Sequence, residues 1–206
     1  MKTIPRNVHT PNSGFTVIEV VFAVAILTAT LLVTSMAMQA TMSGAETTTI
    51  HAGLNSKAAA VMDRMARELK DTGVKYSNFS IGLTQQSITF ARCIGCVAGQ
   101  PVFGNQITYA FVTYGTKSCL ERTEIVDGVS QNEILTEQLV STPLSVTTAQ
   151  GVVVNVTGIN FQMFTSDTVT ITIAFQQANY RLQQNRVIDD DMMIVTGQTS
   201  VQMLNN

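Results

Sequence analysis

Residues Phe15 to Met38 read FTVIEVVFAVAILTATLLVTSMAM, and the rest of the chain is read outward from this stretch. It carries one charged side chain, Glu19, and no other Asp, Glu, Lys or Arg occurs between Arg6 and Glu46. A transmembrane helix needs about 20 apolar residues, so the run is long enough to cross a bilayer. Energetics decide whether Glu19 forbids it. Fourteen large apolar side chains lie between Phe15 and Met38. At roughly −0.3 to −0.6 kcal/mol each they contribute about −4 to −8 kcal/mol. A carboxylate at the bilayer centre costs roughly 2.5 to 3.5 kcal/mol, and less near an end, where Glu19 lies. Insertion is expected. Lys2 and Arg6 precede the run, and no further Lys or Arg follows until Lys57. The positive-inside rule then puts the amino terminus in the cytoplasm and the carboxy-terminal bulk outside.

Upstream, residues 1–14 (MKTIPRNVHTPNSG) are polar and basic. Pro5 and Pro11 keep them from extending a helix, and they end at Gly14, directly before Phe15. A plain signal anchor needs only the apolar run. A secretory signal peptide would be cut after it, but the best small-residue site, Ser35-Met36-Ala37, is weak, and the run exceeds a usual signal-peptide core. A leader cut before the run accounts for the polar start, the prolines and the Gly-Phe junction together.

The residues at that junction carry a resemblance. Gly14-Phe15-Thr16-Val17-Ile18-Glu19-Val20 resembles the prepilin peptidase recognition site of type IV pilins and pseudopilins: a Gly, an aromatic, then a hydrophobic helix with Glu at its fifth mature position. The resemblance implies cleavage between Gly14 and Phe15 and N-methylation at Phe15. It also implies a bacterial inner-membrane location with later passage into a pilus or pseudopilus. The partners it implies are prepilin peptidase, other minor and major pilins or pseudopilins, the inner-membrane assembly platform and membrane lipid. Removal of Lys2 and Arg6 would leave ten basic and fourteen acidic residues, a net charge of −4. Physical chemistry supplies a reason for Glu19. An intramembrane carboxylate is costly unless paired, and cleavage would create a cation at Phe15. A Phe15 amine beside a neighbour's Glu19 would satisfy both and set the register of one subunit on the next. Snorkelling of Glu19 to the interface is the plainer alternative; the Gly14-Phe15 context favours docking.

Helical spacing continues beyond the apolar run. Ile50, Leu54, Ala58, Val61, Met62, Met65, Ala66 and Leu69 step by three and four, one apolar stripe, with Lys57, Asp63, Arg64, Arg67, Glu68 and Lys70 on the other faces. Gly73 reads as a stop. Major pilins commonly carry a helix-breaking Pro in the membrane part, and none occurs here between Phe15 and Gly73. An unbroken helix over 15–72 would be about 80 to 90 Å long at 1.5 Å per residue.

Past Gly73 the pattern changes to short β-branched runs punctuated by Gly, Asn and Ser. The expected strands are Ser87–Arg92, Ile107–Tyr114, Leu120–Ile125, Ile134–Leu139, Val152–Val156, Ile159–Phe164 and Val169–Phe175, with one more in Ile194–Leu204 and a connection over Ser141–Gly151. No second long helix is interleaved, so a parallel sheet is not expected. The fold class is therefore α+β: a long amino-terminal helix packed on an antiparallel β-sheet domain. The expected divisions are a leader at 1–14, the helix at 15–72 and an extracytoplasmic β-rich domain at 73–206. The order of helix and strands is similar to the larger minor pilins and the J-type minor pseudopilins of type II secretion. Their common Val-x-Leu-Arg-Asn ending is matched here by Val201-Gln202-Met203-Leu204-Asn205-Asn206, which lacks the Arg.

Composition excludes several functions. With 45% hydrophobic and 13% charged residues, the chain is not of the disordered class. A net charge of −2 offers no general basic field for phosphates, and no specific nucleic-acid site is evident. No glycine-rich phosphate loop, HExxH or Ser/Cys partner for His51 occurs, so no enzyme activity and no cofactor are expected. Cys93, Cys96 and Cys119 would face an oxidising compartment. Cys93 and Cys96 read as lying in a turn-like segment, where a short-loop bridge fits, and Cys119 could pair with either. A Cys-x-x-Cys redox site or zinc are the alternatives; such redox motifs belong in a βαβ setting, and zinc would need a fourth ligand. Asp189-Asp190-Asp191 offers weak calcium ligands, and some pseudopilins bind calcium in this region; a solvated acidic loop is the plainer reading. The assembly reading competes with a signal-anchored extracytoplasmic binding or enzymatic domain.

Overall fold

The computed structural model of the chain describes residues 15–72, 79–147, 151–178 and 192–203. It divides into two compact units, Met1–Glu46 and Thr47–Asn206.

Helix α1 runs from Val17 to Lys70. No proline interrupts it, and its ends suit the helix dipole: Glu19 lies in the first turn, Arg67 and Lys70 in the last. Thr72 closes its end by donating its backbone N–H to the Leu69 carbonyl at 3.0 Å. Gly73, the expected stop, lies outside the described residues.

In the second unit the fold is α+β. A five-stranded antiparallel meander holds β1 (Ser80–Ile81), β2 (Ser87–Val97), β3 (Gln100–Tyr114), β4 (Lys117–Val126) and β5 (Val129–Thr136) in that order. A two-stranded hairpin joins β6 (Leu144–Thr147) to β7 (Val153–Val156), and a three-stranded sheet has the order β10-β9-β8, from β8 (Ile159–Thr165), β9 (Thr168–Ala178) and β10 (Met192–Gln202).

The carboxy-terminal part of α1 supplies the stripe that the core needs. Leu54, Ala58, Met65 and Leu69 are buried, and Ile50, Val61, Met62 and Ala66 pack beside them. Opposite them stand Ile88, Phe90, Ile107, Tyr109 and Leu120 from the meander, with Phe161, Ile171, Ile173 and Phe175 from the three-stranded sheet. Both sheets therefore share one core around one helix. Truncating any of these large side chains to Ala costs about 2 to 5 kcal/mol. On the far side of β9, Ala174 meets Val140 and Val156 in a small second cluster under the β6–β7 hairpin. Gly158 permits the close approach there. Its φ is +71°, and a side chain would fall on the Phe111 ring.

Three expectations need correction. Cys93 and Cys96 lie in strand β2, not in a turn, because Ala98 and Gly99 take positive φ (52° and 78°) and close the hairpin in two residues. The strand expected at Ile134–Leu139 is β5, which lies earlier at Val129–Thr136. Most of its side chains are exposed, so an edge strand carried polar residues that apolar counting passes over. The stretch Ser141–Gly151 contains β6, which pairs with β7 through Leu144–Val156 and Val146–Val154.

Candidate functional site

The amino-terminal stretch of α1 is defined by what does not cover it. From Val17 to Met42 its large apolar side chains are 50 to 83% exposed, and Phe15 is 81% exposed. The helix is long and apolar enough to cross a membrane, an 18-residue window of it having a mean hydropathy of 2.4. Soluble proteins rarely display apolar patches beyond a few hundred Å², so this surface calls for lipid or other protein. The threonines within it fit that solvent. Thr28 donates its hydroxyl to the Val24 carbonyl at 3.0 Å, Thr30 to Ile26 at 3.0 Å, Thr34 to Thr30 at 2.7 Å and Thr41 to Ala37 at 2.8 Å. Each hydroxyl is satisfied by its own helix, which is the requirement for a polar group in hydrocarbon.

Thr16 starts the helix. Its carbonyl accepts the N–H of Glu19 at 3.0 Å and of Val20 at 3.2 Å. Phe15 precedes the first turn and Glu19 stands exposed within it, near the positive end of the dipole. Among the described residues no cation forms an ion pair with Glu19. Gly14 lies outside the described residues, so the Gly14–Phe15 bond is read from sequence alone.

In the second unit a polar cluster joins helix to sheet, and reading Arg64 and Glu68 as surface residues misses it. Glu68 lies between the buried Met65 and Leu69. Its carboxylate accepts the Tyr109 hydroxyl at 2.8 Å and the Arg122 Nε at 3.2 Å. Arg122 also reaches Glu124 at 2.9 Å, and Arg64 grips Glu133 through two bonds of 2.8 and 2.6 Å. Burial alone would lower the Arg122 guanidinium, but the Glu68 and Glu124 hydrogen bonds hold it above its ordinary value. Burial, then the adjacent Glu68, pushes the Tyr109 phenol up. A signal was available for Tyr109, which shares a strand face with Ile107 and Phe111; Arg122, amid Glu121, Thr123 and Glu124, carried none, and the ladder sets it opposite Tyr109.

The same cluster sets a pH response. The Arg64 hydrogen bond holds Glu133 below its ordinary value of 4.5, and the Asn105 and Arg122 hydrogen bonds do the same for Glu124. Depressed carboxylates stabilise the fold above their unfolded value, and that contribution is lost as pH falls through the folded one. Thermal melts should therefore be flat from about pH 7 to 5 and fall steadily below about 4.5. An Arg64→Gln variant should show a shallower acid slope than the parent.

The cysteines are free thiols: Cys93 half-buried, Cys96 exposed, Cys119 buried. Cys93 pairs across the ladder with Phe103, while Cys119 pairs with Val112 on the other side of β3. Those positions are about 30 Å apart at 3.3 Å per residue, against the 4.4 to 6.8 Å that a disulfide spans. Three strand residues separate Cys93 from Cys96, about 10 Å in a regular strand. The structure thus brings none of the three together. Burial, then Glu137, raises the Cys119 thiol above its ordinary value, so it stays protonated at neutral pH. Among the described residues no group of three or more His, Cys, Asp or Glu is placed to hold a metal ion. Asp189, Asp190 and Asp191 lie outside the described residues.

Comparison with protein-family models, curated proteins and solved structures found no match for this chain.

Proposed function

We propose that the chain is a minor pilin or pseudopilin: a structural subunit that primes, caps or modifies a type IV pilus-like filament. It would wait in the inner membrane with its amino terminus cytoplasmic and its β-rich domain outside, then enter the filament. The machine served would be a pilus, a type II secretion system or a competence pseudopilus. One observation carries this reading. A single helix presents an uncovered apolar surface with a lone acid, Glu19, in its first turn, and its continuation forms the core of a β-domain. An anchor needs only the apolar surface; the acid one turn from Phe15 is what an anchor leaves unexplained.

In this mechanism the apolar helix surface supplies adhesion, first to lipid and then to neighbouring helices. The Phe15 amine and a neighbour's Glu19 supply register. The sheet domain supplies the choice of partner. Intact-mass measurement of chain extracted from its native membrane tests the reading. Loss of residues 1–14 with gain of one methyl is expected. A chain that keeps Gly14, or begins anywhere other than Phe15, defeats the proposal in favour of an ordinary signal anchor.

A further inference from the structure

A regular strand would hold Cys93 and Cys96 on opposite faces, about 10 Å apart over three residues. Strand β2 is not regular between them. From the pair Ala91–Gln106 to the pair Cys93–Phe103 the ladder takes two steps on β2 and three on β3; from there to Gly95–Val102 it takes two on β2 and one on β3. The second shift is a β-bulge with Ile94 as its extra residue. Gly104 makes room for it, because a side chain there would meet the Ile94 Cγ2 at 2.8 Å. Past the bulge the ladder resumes, with Cys96 opposite Pro101.

The extra residue brings the two cysteines to one face. Cys93 stands opposite Phe103 and Cys96 opposite Pro101, two positions apart on β3 and therefore on the same side of the ribbon. Their spacing along the ladder is about 6.6 Å at 3.3 Å per residue. A disulfide needs Cβ atoms about 3.5 to 4.5 Å apart, and both thiols are free. The spacing suits a longer span. Two sulfurs on either side of one metal ion lie about 4.6 Å apart at roughly 2.3 Å per metal–sulfur bond, so each side chain need lean inward by only about 1 Å. Cys93 already leans along the strand: its thiol donates to the Gly95 carbonyl at 3.4 Å. Cys93 is half-buried and Cys96 exposed, so an ion in solution can reach both. Beyond sulfur the hairpin offers little to a metal. No Asp, Glu, His, Lys or Arg occurs from Cys93 to Thr116, so oxygen-seeking cations find no carboxylate on it, and zinc finds neither a third nor a fourth side-chain ligand.

We propose that Cys93 and Cys96 form a two-thiolate clamp for a soft monovalent cation, copper(I). Thiolates select this ion, and its filled d shell accepts two ligands in line. Each thiol releases its proton as its sulfur binds, so one copper(I) displaces two protons. The clamp ties the bulge where the ribbon is least supported: among the described residues β4 joins β3 only from Ile107 onward, and β1 pairs with β2 only at Ile88 and Thr89. It requires neither cleavage at Gly14 nor the Glu19 contact, so it stands or falls apart from the filament reading.

The test titrates full-length chain in detergent, reduced and free of oxygen, with copper(I) in competition with a chromogenic copper(I) chelator. One equivalent held per chain is expected, and zinc(II) or calcium(II) should not displace it. Cys93→Ser and Cys96→Ser should each weaken binding about a hundredfold or more, since losing even an outer-shell partner of a metal ligand costs roughly 10- to 100-fold. Cys119→Ser should change nothing. Gly95→Cys with Cys96→Ser tests the face itself: it keeps two thiols but moves the second to the opposite side of the ribbon. Nothing lies within 4 Å of a side chain placed at Gly95, so the hairpin accepts the change. That variant should bind as weakly as the single ones. A parent that holds no copper(I), equal binding by either single variant or by the relocated pair, or a Cys93–Cys96 disulfide in the purified chain would overturn the proposal.

Discussion

Glu19→Ala should leave the chain in the membrane and out of the filament. The two outcomes separate because the energies act in opposite directions. Removing a carboxylate from the edge of an apolar span relieves a cost, so insertion stays intact or improves. On the proposed docking, assembly would lose its register contact. If a neighbour's Phe15 amine is brought against a Glu19 desolvated by packed helices, deleting the acid leaves a buried cation alone, a loss of about 3 to 5 kcal/mol for a broken buried pair. At 1.4 kcal/mol per tenfold, incorporation should fall about a hundredfold or more. Glu19→Gln keeps size and hydrogen bonding but not charge, and should fail nearly as badly. Immunoblots of sheared filament against membrane fractions decide it. Normal filament levels of either variant, with normal membrane levels, would show that the acid only snorkels to the interface.

What the sequence made legible follows from how each element is solvated. The run Phe15–Met38 declares itself because lipid demands apolarity on every face, so no periodicity has to be inferred. The stripe from Ile50 to Leu69 declares itself by the 3.6-residue period, and all eight of its members pack in the core. Strand positions were readable where β-branched residues alternate over a buried face, as in Val169, Ile171 and Ile173. Reading failed where solvation gives no signal. Strand β5 is an exposed edge whose Ser130, Gln131 and Asn132 look like loop. Cys93–Cys96 look like a turn because Gly95 lies between them, yet the hairpin turns later, at Ala98 and Gly99. Arg64 and Glu68 look like an exposed i, i+4 pair, but the sheet supplies Arg122, Tyr109 and Glu133 from far along the chain. Spacing within one helix cannot report partners on another element. That is why a proposal for Phe15 and Glu19, local to one turn, can be framed from sequence, and the helix–sheet cluster could not be.

Arg122→Ala should be the most damaging single change in the β-rich unit that removes no apolar side chain. Its side chain is 10% exposed and that of Glu68 is 12%. Truncation leaves the Glu68 carboxylate between Met65 and Leu69 with the Tyr109 hydroxyl and a distant Arg64, 3.7 Å away, as its remaining partners. Those partners compensate the charge only in part, so the cost should lie near the lower end for a broken buried pair, about 3 kcal/mol, within the range for the loss of a core leucine. The pair itself need not be worth that much. Desolvating both ions consumes most of their attraction, so an apolar replacement of both, Glu68→Leu with Arg122→Met, should fall within about 1 kcal/mol of the parent or exceed it. Urea unfolding of the detergent-solubilised full chain, followed by near-ultraviolet circular dichroism, distinguishes the two. A single variant as stable as the parent would mean that water reaches Glu68 freely. A double variant as weak as the single would mean that the ions stabilise the fold outright. The expected pattern, a fragile single and a robust double, assigns the cluster a different task. An apolar stripe can slide or rotate on a sheet with modest loss, whereas Glu68 meets Arg122 and Tyr109 in only one rotational setting of the helix. The cluster then fixes which face of the Thr47–Lys70 stretch turns to the sheet, and so which residues, Arg67 and Lys70 among them, are left pointing outward.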